Sequence, residues 1–167
     1  MTIPTDTTNV SKTIYPITLE AAYEVASNLR PDDYREVVEG HGHVPTIQIP
    51  LISQQGYCIH FRMPNDEVAG VAGITEEGAI WMLCTPVIER YPHTFAREAK
   101  RFIDSREEPL LWNICDKRNK VHLKLLKFLG FKFLGEIIYG PNNLNFIVFA
   151  KCANPFHLEW LLQRLGL

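Results

Sequence analysis

The side chains of this chain that could do chemistry gather in two stretches. One is Trp81-Met82-Leu83-Cys84-Thr85 and the segment after it, Pro86 to Thr94, which carries Arg90 and His93. The other is Leu110 to Asn119, ending in Asp116, Arg118 and Asn119. Cys84 reads either as a small buried hydrophobe or as a reactive thiol. Asp116, closing an apolar run, reads as a general base or as a turn residue paired with Arg118. Arg90 and His93 either attract a phosphate or stand in solvent. His41 and His43 flank Gly42 with no third ligand nearby in sequence, which favours a solvated loop over a metal. His60, inside an apolar strand, reads as a packed residue rather than a base. Cys58, Cys84, Cys115 and Cys152 are isolated, with no Cys/His spacing suited to zinc. Free thiols, no disulfide and no metal are the expectation.

Strong local signals place these residues on elements. Leu110-Leu111-Trp112 and Ile114 suit a buried strand. Asn119 caps a helix from Lys120 to Leu129, in which Val121, Leu125, Phe128 and Leu129 recur at steps of three and four. Gly130 stops that helix, and Phe131 and Phe133 start a further strand continuing through Tyr139. Tyr57 to Met63, Val68 to Thr75 and the fully apolar Ala79 to Thr85 form an antiparallel meander. After it, Thr94 is the expected N-cap of a helix from Phe95 to Asp104, with Phe95, Ala99, Phe102 and Ile103 facing inward.

Upstream, Ile14 to Thr18 is a strand and Thr18 caps a helix to Leu29. Pro31 then breaks the chain, and Asp32 opens a second helix to Glu39. Pro45 to Ser53 is either a short helix or extended. Leu144 to Lys151 is a last strand, and His157 to Leu165 a helix with Leu158, Leu161, Leu162 and Leu165 on one side. The order β-α-α-β-β-β-α-β-α-β-β predicts an α/β fold: a mixed, largely antiparallel central sheet of six to seven strands with helices on both faces. Residues 1–13, rich in Thr, Asn and Asp, read as a flexible tail, 14–152 as one domain, and 153–167 as a terminal helix.

The formal net charge of -2 gives no general attraction to nucleic acid or anionic membrane. A basic patch interleaved with aromatics is absent. No apolar run approaches a membrane span, and Lys12 is followed by no signal-peptide core, so a cytoplasmic protein is expected.

This order, with Asn119 ahead of a helix closed by Leu129-Gly130-Phe131, resembles the GNAT acyltransferase fold. The resemblance implies that the fourth strand splays from the fifth and that acetyl-CoA, or another acyl-CoA, lies in the opening. The pyrophosphate would rest on the loop and helix start after the fourth strand, where free N–H groups and the dipole favour an anion. Carried over, the cofactor-binding residues are Leu83, Cys84, Thr85, Arg90, His93 and Thr94, with Asn119 as a further contact. Asp116 and Cys84 are the catalytic candidates.

A closer resemblance is to small GNAT-like proteins of tailed phages, including the internal virion protein A group of podophages. It rests on Arg30-Pro31-Asp32-Asp33 with Glu36-Val37, on Trp81 to Thr85, on Phe95 with Arg97-Glu98, and on Asn113, Asp116 and Arg118-Asn119. It spans about Arg30 to Lys151 and implies a bacteriophage origin, in the host cytoplasm or the virion. The implied partner is a phage or host protein, or a second copy docked through the terminal helix. Two features depart from the enzyme pattern. Glu89 to Phe95 lacks the glycines of the phosphate loop and contains Pro92, and Leu126 stands where many members have an acid tyrosine. The resemblance therefore implies either an acyl-CoA-dependent N-acyltransferase or an inactive protein of that fold serving virion morphogenesis or host-factor binding.

Overall fold

The structure is a computed structural model, and it describes residues 12–167. Most of the expected N-terminal tail lies outside the described residues. The strands are β1 (Ile14–Pro16), β2 (Tyr57–Arg62), β3 (Val68–Ile74), β4 (Ile80–Cys84), β5 (Leu110–Asp116), β6 (Lys132–Tyr139) and β7 (Leu144–Cys152). The helices are α1 (Leu19–Ser27), α2 (Pro31–Arg35), α3 (Pro45–Ile52), α4 (Pro92–Asp104), α5 (Lys120–Phe128) and α6 (Pro155–Leu165). A π-helical turn, Glu36–Gly40, extends α2, and a 3-10 turn, Pro86–Arg90, follows β4. The mixed α/β architecture stands as read from the sequence.

The strands form two antiparallel half-sheets, ordered β1-β2-β3-β4 and β5-β7-β6. Alternation along β4 decides which layer each side chain enters. Met82 and Cys84 pack with Phe61, Phe95 and Val87 on the α4 side, whereas Trp81 and Leu83 pack against the α1 and α3 cluster around Val25, Ile49 and Val71. On β5, Leu111 and Cys115 face the α5 residues Leu123, Leu126 and Leu129. On the other face of β5 and β7, Leu161 of α6 is fully buried against Leu110 and Ala150.

Several local signals act as expected. Thr18 Oγ1 accepts the Ala21 N–H at the start of α1, Asn119 Oδ1 accepts the His122 N–H at the start of α5, and Gly130 takes a φ of +90° behind α5. Others do not. Thr94 is not a cap: α4 begins two residues earlier at Pro92, because proline presets the first-turn φ and has no N–H to leave unsatisfied. Pro31 likewise opens α2 instead of merely ending what precedes it. Pro45 to Ser53 resolves into helix α3. On α5, Val121 and Phe128 are exposed, and the stripe facing the sheet is Leu123, Leu126 and Leu129.

Candidate functional site

β4 and β5 run parallel and begin side by side. Ala79 and Trp112 form a parallel bridge, and Trp112 N–H donates to Gly78 O at 3.0 Å. Beyond that point no ladder joins the strands, and they part. Asn113 spans the narrow end: its Nδ2 donates to Ile80 O at 2.8 Å, while its Oδ1 accepts the Ile114 N–H at 2.8 Å. One amide side chain thus replaces two missing backbone bonds.

The wide end is held by the start of α2 and its π-turn, which reach in from the opposite face. Asp33 Oδ2 accepts the Cys84 N–H at 2.9 Å, and Glu36 Oε1 accepts the Asp116 N–H at 2.5 Å. Asn119 Nδ2 donates to Asp33 Oδ1 at 3.0 Å and to Glu36 Oε2 at 3.4 Å. Arg30 Nη1 donates to Asp33 at 3.2 Å, and its own backbone N–H donates to Cys84 O. Arg118 grips Asp116 through its backbone N–H, Nε and Nη2, and ties the network outward to Glu39 at 2.9 Å. Arg30, Asp33, Glu36, Asp116 and Asn119 are all buried. Each buried charge is met by a partner of opposite sign or by directed hydrogen bonds, as burial demands.

The electrostatics follow from this closure. Burial raises the Glu36 carboxyl to about 7, and the charges of Asp33 and Asp116 add to it, against the hydrogen bonds from Asp116 N and Asn119. For Asp116, burial also works upward, but the hydrogen bonds and charge of Arg118 outweigh it and hold the carboxyl below its usual range. Burial pushes the Cys84 thiol far up, and the Asp33 charge adds to the effect. The Cys115 thiol is raised by burial and then by Glu36, while His122 is lowered by burial.

Two cavities meet at the parting strands. A narrow one of about 80 Å³ lies between α4 and α5, walled by apolar side chains such as Met63, Phe95 and Leu125. A larger one of about 230 Å³ lies on the α2 and α3 side and is lined by Glu36, His41, His43 and Gln48. Ile80, Met82, His122 and Phe149 line both. Met82 turns its N–H toward the same strand edge as Cys84, and that N–H has no partner among the described residues.

The residues singled out from the sequence occupy varied places around this opening. Leu83 lines the larger cavity. Cys84 is 1% exposed, with its thiol in the core on the α4 side. Thr85 Oγ1 donates to Val68 O and accepts the Val87 N–H, fastening the 3-10 turn to β3. Arg90 is paired with Glu67 at 2.7 Å. His93 and Thr94 sit in the first turn of α4, with His93 beside an open groove formed with Arg97, Lys100, Arg101, Asp104 and Phe128. Asp116 and Asn119 belong to the buried network. Sequence reasoning passed over Asp33, Glu36, Asn113 and His122 as site residues. It also read His41 as solvated, whereas its ring packs edge-on against Tyr139 and Phe146.

No protein-family model and no curated protein matches this sequence. Solved structures do match. One is yncA of Salmonella typhimurium, a putative acetyltransferase described with its cofactor acetyl-CoA; it shares 11% identity at a TM-score of 0.62, over 86% of this chain and 95% of that one. A putative phosphinothricin N-acetyltransferase shares 14% identity at a TM-score of 0.60, over 85% and 98%. A GNAT-family acetyltransferase from Bacillus anthracis shares 11% identity at 0.57, over 83% and 93%. The fold is that of the GNAT acetyltransferases. In GNAT terms the parting of β4 from β5 is the expected splay. The side chains crossing it are Asp33, Glu36 and Asn113.

Proposed function

We propose that this protein is an acyl-CoA-dependent N-acyltransferase working through the opening between β4 and β5. One observation carries this reading: two cavities on opposite faces of the sheet layer meet at Ile80, Met82, His122 and Phe149, where the strands part. Such an opening lets a thioester enter from one side and an amine reach its carbonyl carbon from the other, with the C–S bond breaking as the C–N bond forms, which is the positioning that acyl transfer requires. The similarity to a structure described with acetyl-CoA supports acyl-CoA as the donor. The apolar cavity between α4 and α5 suits the acyl arm, with the Met82 N–H as a donor on the strand edge. Backbone amides of His93 and Thr94 suit the diphosphate end, together with Arg97, Lys100 and Arg101 in the groove beyond, which would exchange their pairs with Glu98 and Asp104 for phosphate. Pro92 removes one amide from that helix start, so side chains carry more of the phosphate contact than in a glycine loop. Calorimetry with acetyl-CoA tests the reading. Binding that weakens when Arg97 and Arg101 are replaced by Ala supports it, and no heat at millimolar ligand ends it.

A second reading, a GNAT-fold protein without catalysis serving a phage or host partner, is favoured by the saturated edge amides of Cys84 and Asp116. It draws as well on the phage-protein resemblance between Arg30 and Lys151. Leu158, Leu161 and Leu165 pack onto the chain's own sheet, so a second copy docked through α6 would meet its other face. The exposed Phe156 and Trp160 remain for a partner. Among the described residues no helix is long and apolar enough to cross a membrane.

A further inference from the structure

Three side chains from three separate elements converge where β4 and β5 part: Glu36 of the π-turn, Cys115 of β5 and His122 of α5. Their ligand atoms, a carboxylate oxygen, a sulfur and a ring nitrogen, all lie within 4.8 Å of one another. We propose that Glu36, Cys115 and His122 form a binding site for a borderline-soft divalent cation of the zinc type.

The ligand chemistry selects the metal. Thiolate, imidazole and carboxylate together suit zinc, whereas magnesium and calcium take oxygen alone. Ligands of a metal site are held by outer hydrogen bonds, and these are in place. Glu36 is fixed by the Asp116 N–H and by Asn119. Asn119 also caps the helix that carries His122, so a single side chain orients two of the three ligands. Cys115 is completely buried on a paired strand. The His122 ring, by contrast, makes no hydrogen bond to the described residues, although it stands at the junction of both cavities. The Cys115 thiol meets the Glu36 carboxyl directly, and the half-buried His122 ring closes the trio from the cavity side.

The surroundings are close to neutral and do not repel a cation: Asp33 and Asp116 flank the site and offset the charges of Arg30 and Arg118. Binding would exchange the Cys115 thiol proton for the metal bond, with the proton released to solvent. Glu36 and His122 line the larger cavity while Cys115 lies behind them. Three protein ligands would therefore leave the fourth position open toward that cavity, the arrangement of zinc sites that accept water or a small ligand. This inference stands apart from the acyltransferase reading, since it rests on no acyl-CoA contact.

The test uses the full chain, stripped with a chelator and titrated with zinc or cobalt(II) alone in thiol-free buffer. One ion per chain is expected, and the cobalt form should show a thiolate-to-metal charge-transfer band. Cys115→Ser should lose that band, and Cys115→Ser and His122→Gln should each weaken binding roughly tenfold or more, since even outer-sphere losses cost that much. Cys84→Ser and Cys152→Ser should change neither. Should a variant fail to fold, X-ray absorption on the wild-type zinc form decides without it: one sulfur and at least one imidazole are expected. Absence of stoichiometric binding, a sulfur-free shell, or a band that survives in Cys115→Ser would overturn the proposal.

Discussion

Asp33 Oδ2 accepts the backbone N–H of Cys84 at 2.9 Å, from a helix 51 residues upstream and on the other face of the sheet. That bond closes the last free amide at the tip of β4. The same carboxylate neutralises Arg30, whose side chain is 5% exposed, and receives the amide of Asn119. Removing it takes the partner from the Cys84 N–H and leaves the buried Arg30 with only longer pairs, to Glu89 at 3.7 Å and Asp32 at 3.8 Å. Asp33→Ala should lower stability by about 3–5 kcal/mol, read from a shift in denaturation midpoint. Asp33→Asn keeps an acceptor and should lose clearly less; equal losses would show that the network does not depend on it.

Asn119 does two jobs that a substitution can separate. Its oxygen caps α5 and its nitrogen serves two carboxylates. Asp is ordinarily as good a helix cap as Asn. Here Asn119→Asp would set a third carboxylate against Asp33 and Glu36, so at pH 7 it should destabilise at least as much as Asn119→Ala. Lowering the pH should restore Asn119→Asp in preference to Asn119→Ala. A mutant that behaves like wild type would mean the cap alone matters.

Thiol chemistry should rank the cysteines by access. Cys152 is half-buried, whereas Cys84 and Cys115 are 1% and 0% exposed, with thiols raised by burial. Mass-spectrometric mapping after brief alkylation should find Cys152 modified first and Cys84 only once the chain unfolds. Fast native-state labelling of Cys84 would restore it as a nucleophile.

His60 gives the fold an acid-side sensitivity. Its buried ring is stacked on Tyr15, with Nδ1 2.8 Å from Pro16 O. Burial holds its pKa below 6.5, and Arg62 and Lys12 push the same way against Pro16 O and Glu24. Between the folded and unfolded pKa values the unfolded chain binds the extra proton, so stability rises with pH through that window. Its contribution is complete above about 6.5 and declines as pH falls below that value. His60→Gln should flatten this part of the stability profile; an unchanged slope would assign it to other groups.

Leu161 anchors α6 with no exposed surface. Leu161→Ala should cost about 2–5 kcal/mol, from lost transfer and an unfilled cavity. A negligible loss by calorimetric melting would mean that α6 is not part of the cooperative unit.

Where local physics decides, the sequence is easily read. The caps at Thr18 and Asn119, the stop at Gly130 and the β2-β3-β4 meander depend on nearby residues alone. The inward face of α5 did not come out right, because Lys120 to Leu129 offers two overlapping apolar stripes and only the sheet selects Leu123, Leu126 and Leu129. Within the site, Cys84, Asp116 and Asn119 were visible as residues at strand and helix ends. Asp33 and Glu36 were not, since acidic residues on a short helix normally face water. Yet Arg30, Asp33, Glu36, Asn113, Asp116, Arg118 and Asn119 all fall in the motifs that carried the resemblance, and together they build the buried network.

The lone bridge between Ala79 and Trp112 has a dynamic consequence. The ladders of β1 to β4 and of β5 to β7 are each complete without the other, and beyond that bridge the strands are joined by side chains. Opening one ladder need not tear the other. Native-state hydrogen exchange should therefore resolve two cooperative blocks of protected amides, one for each half-sheet. Whatever tightens or loosens the contacts at Asp33, Glu36 and Asn113 would set how strongly those blocks open together.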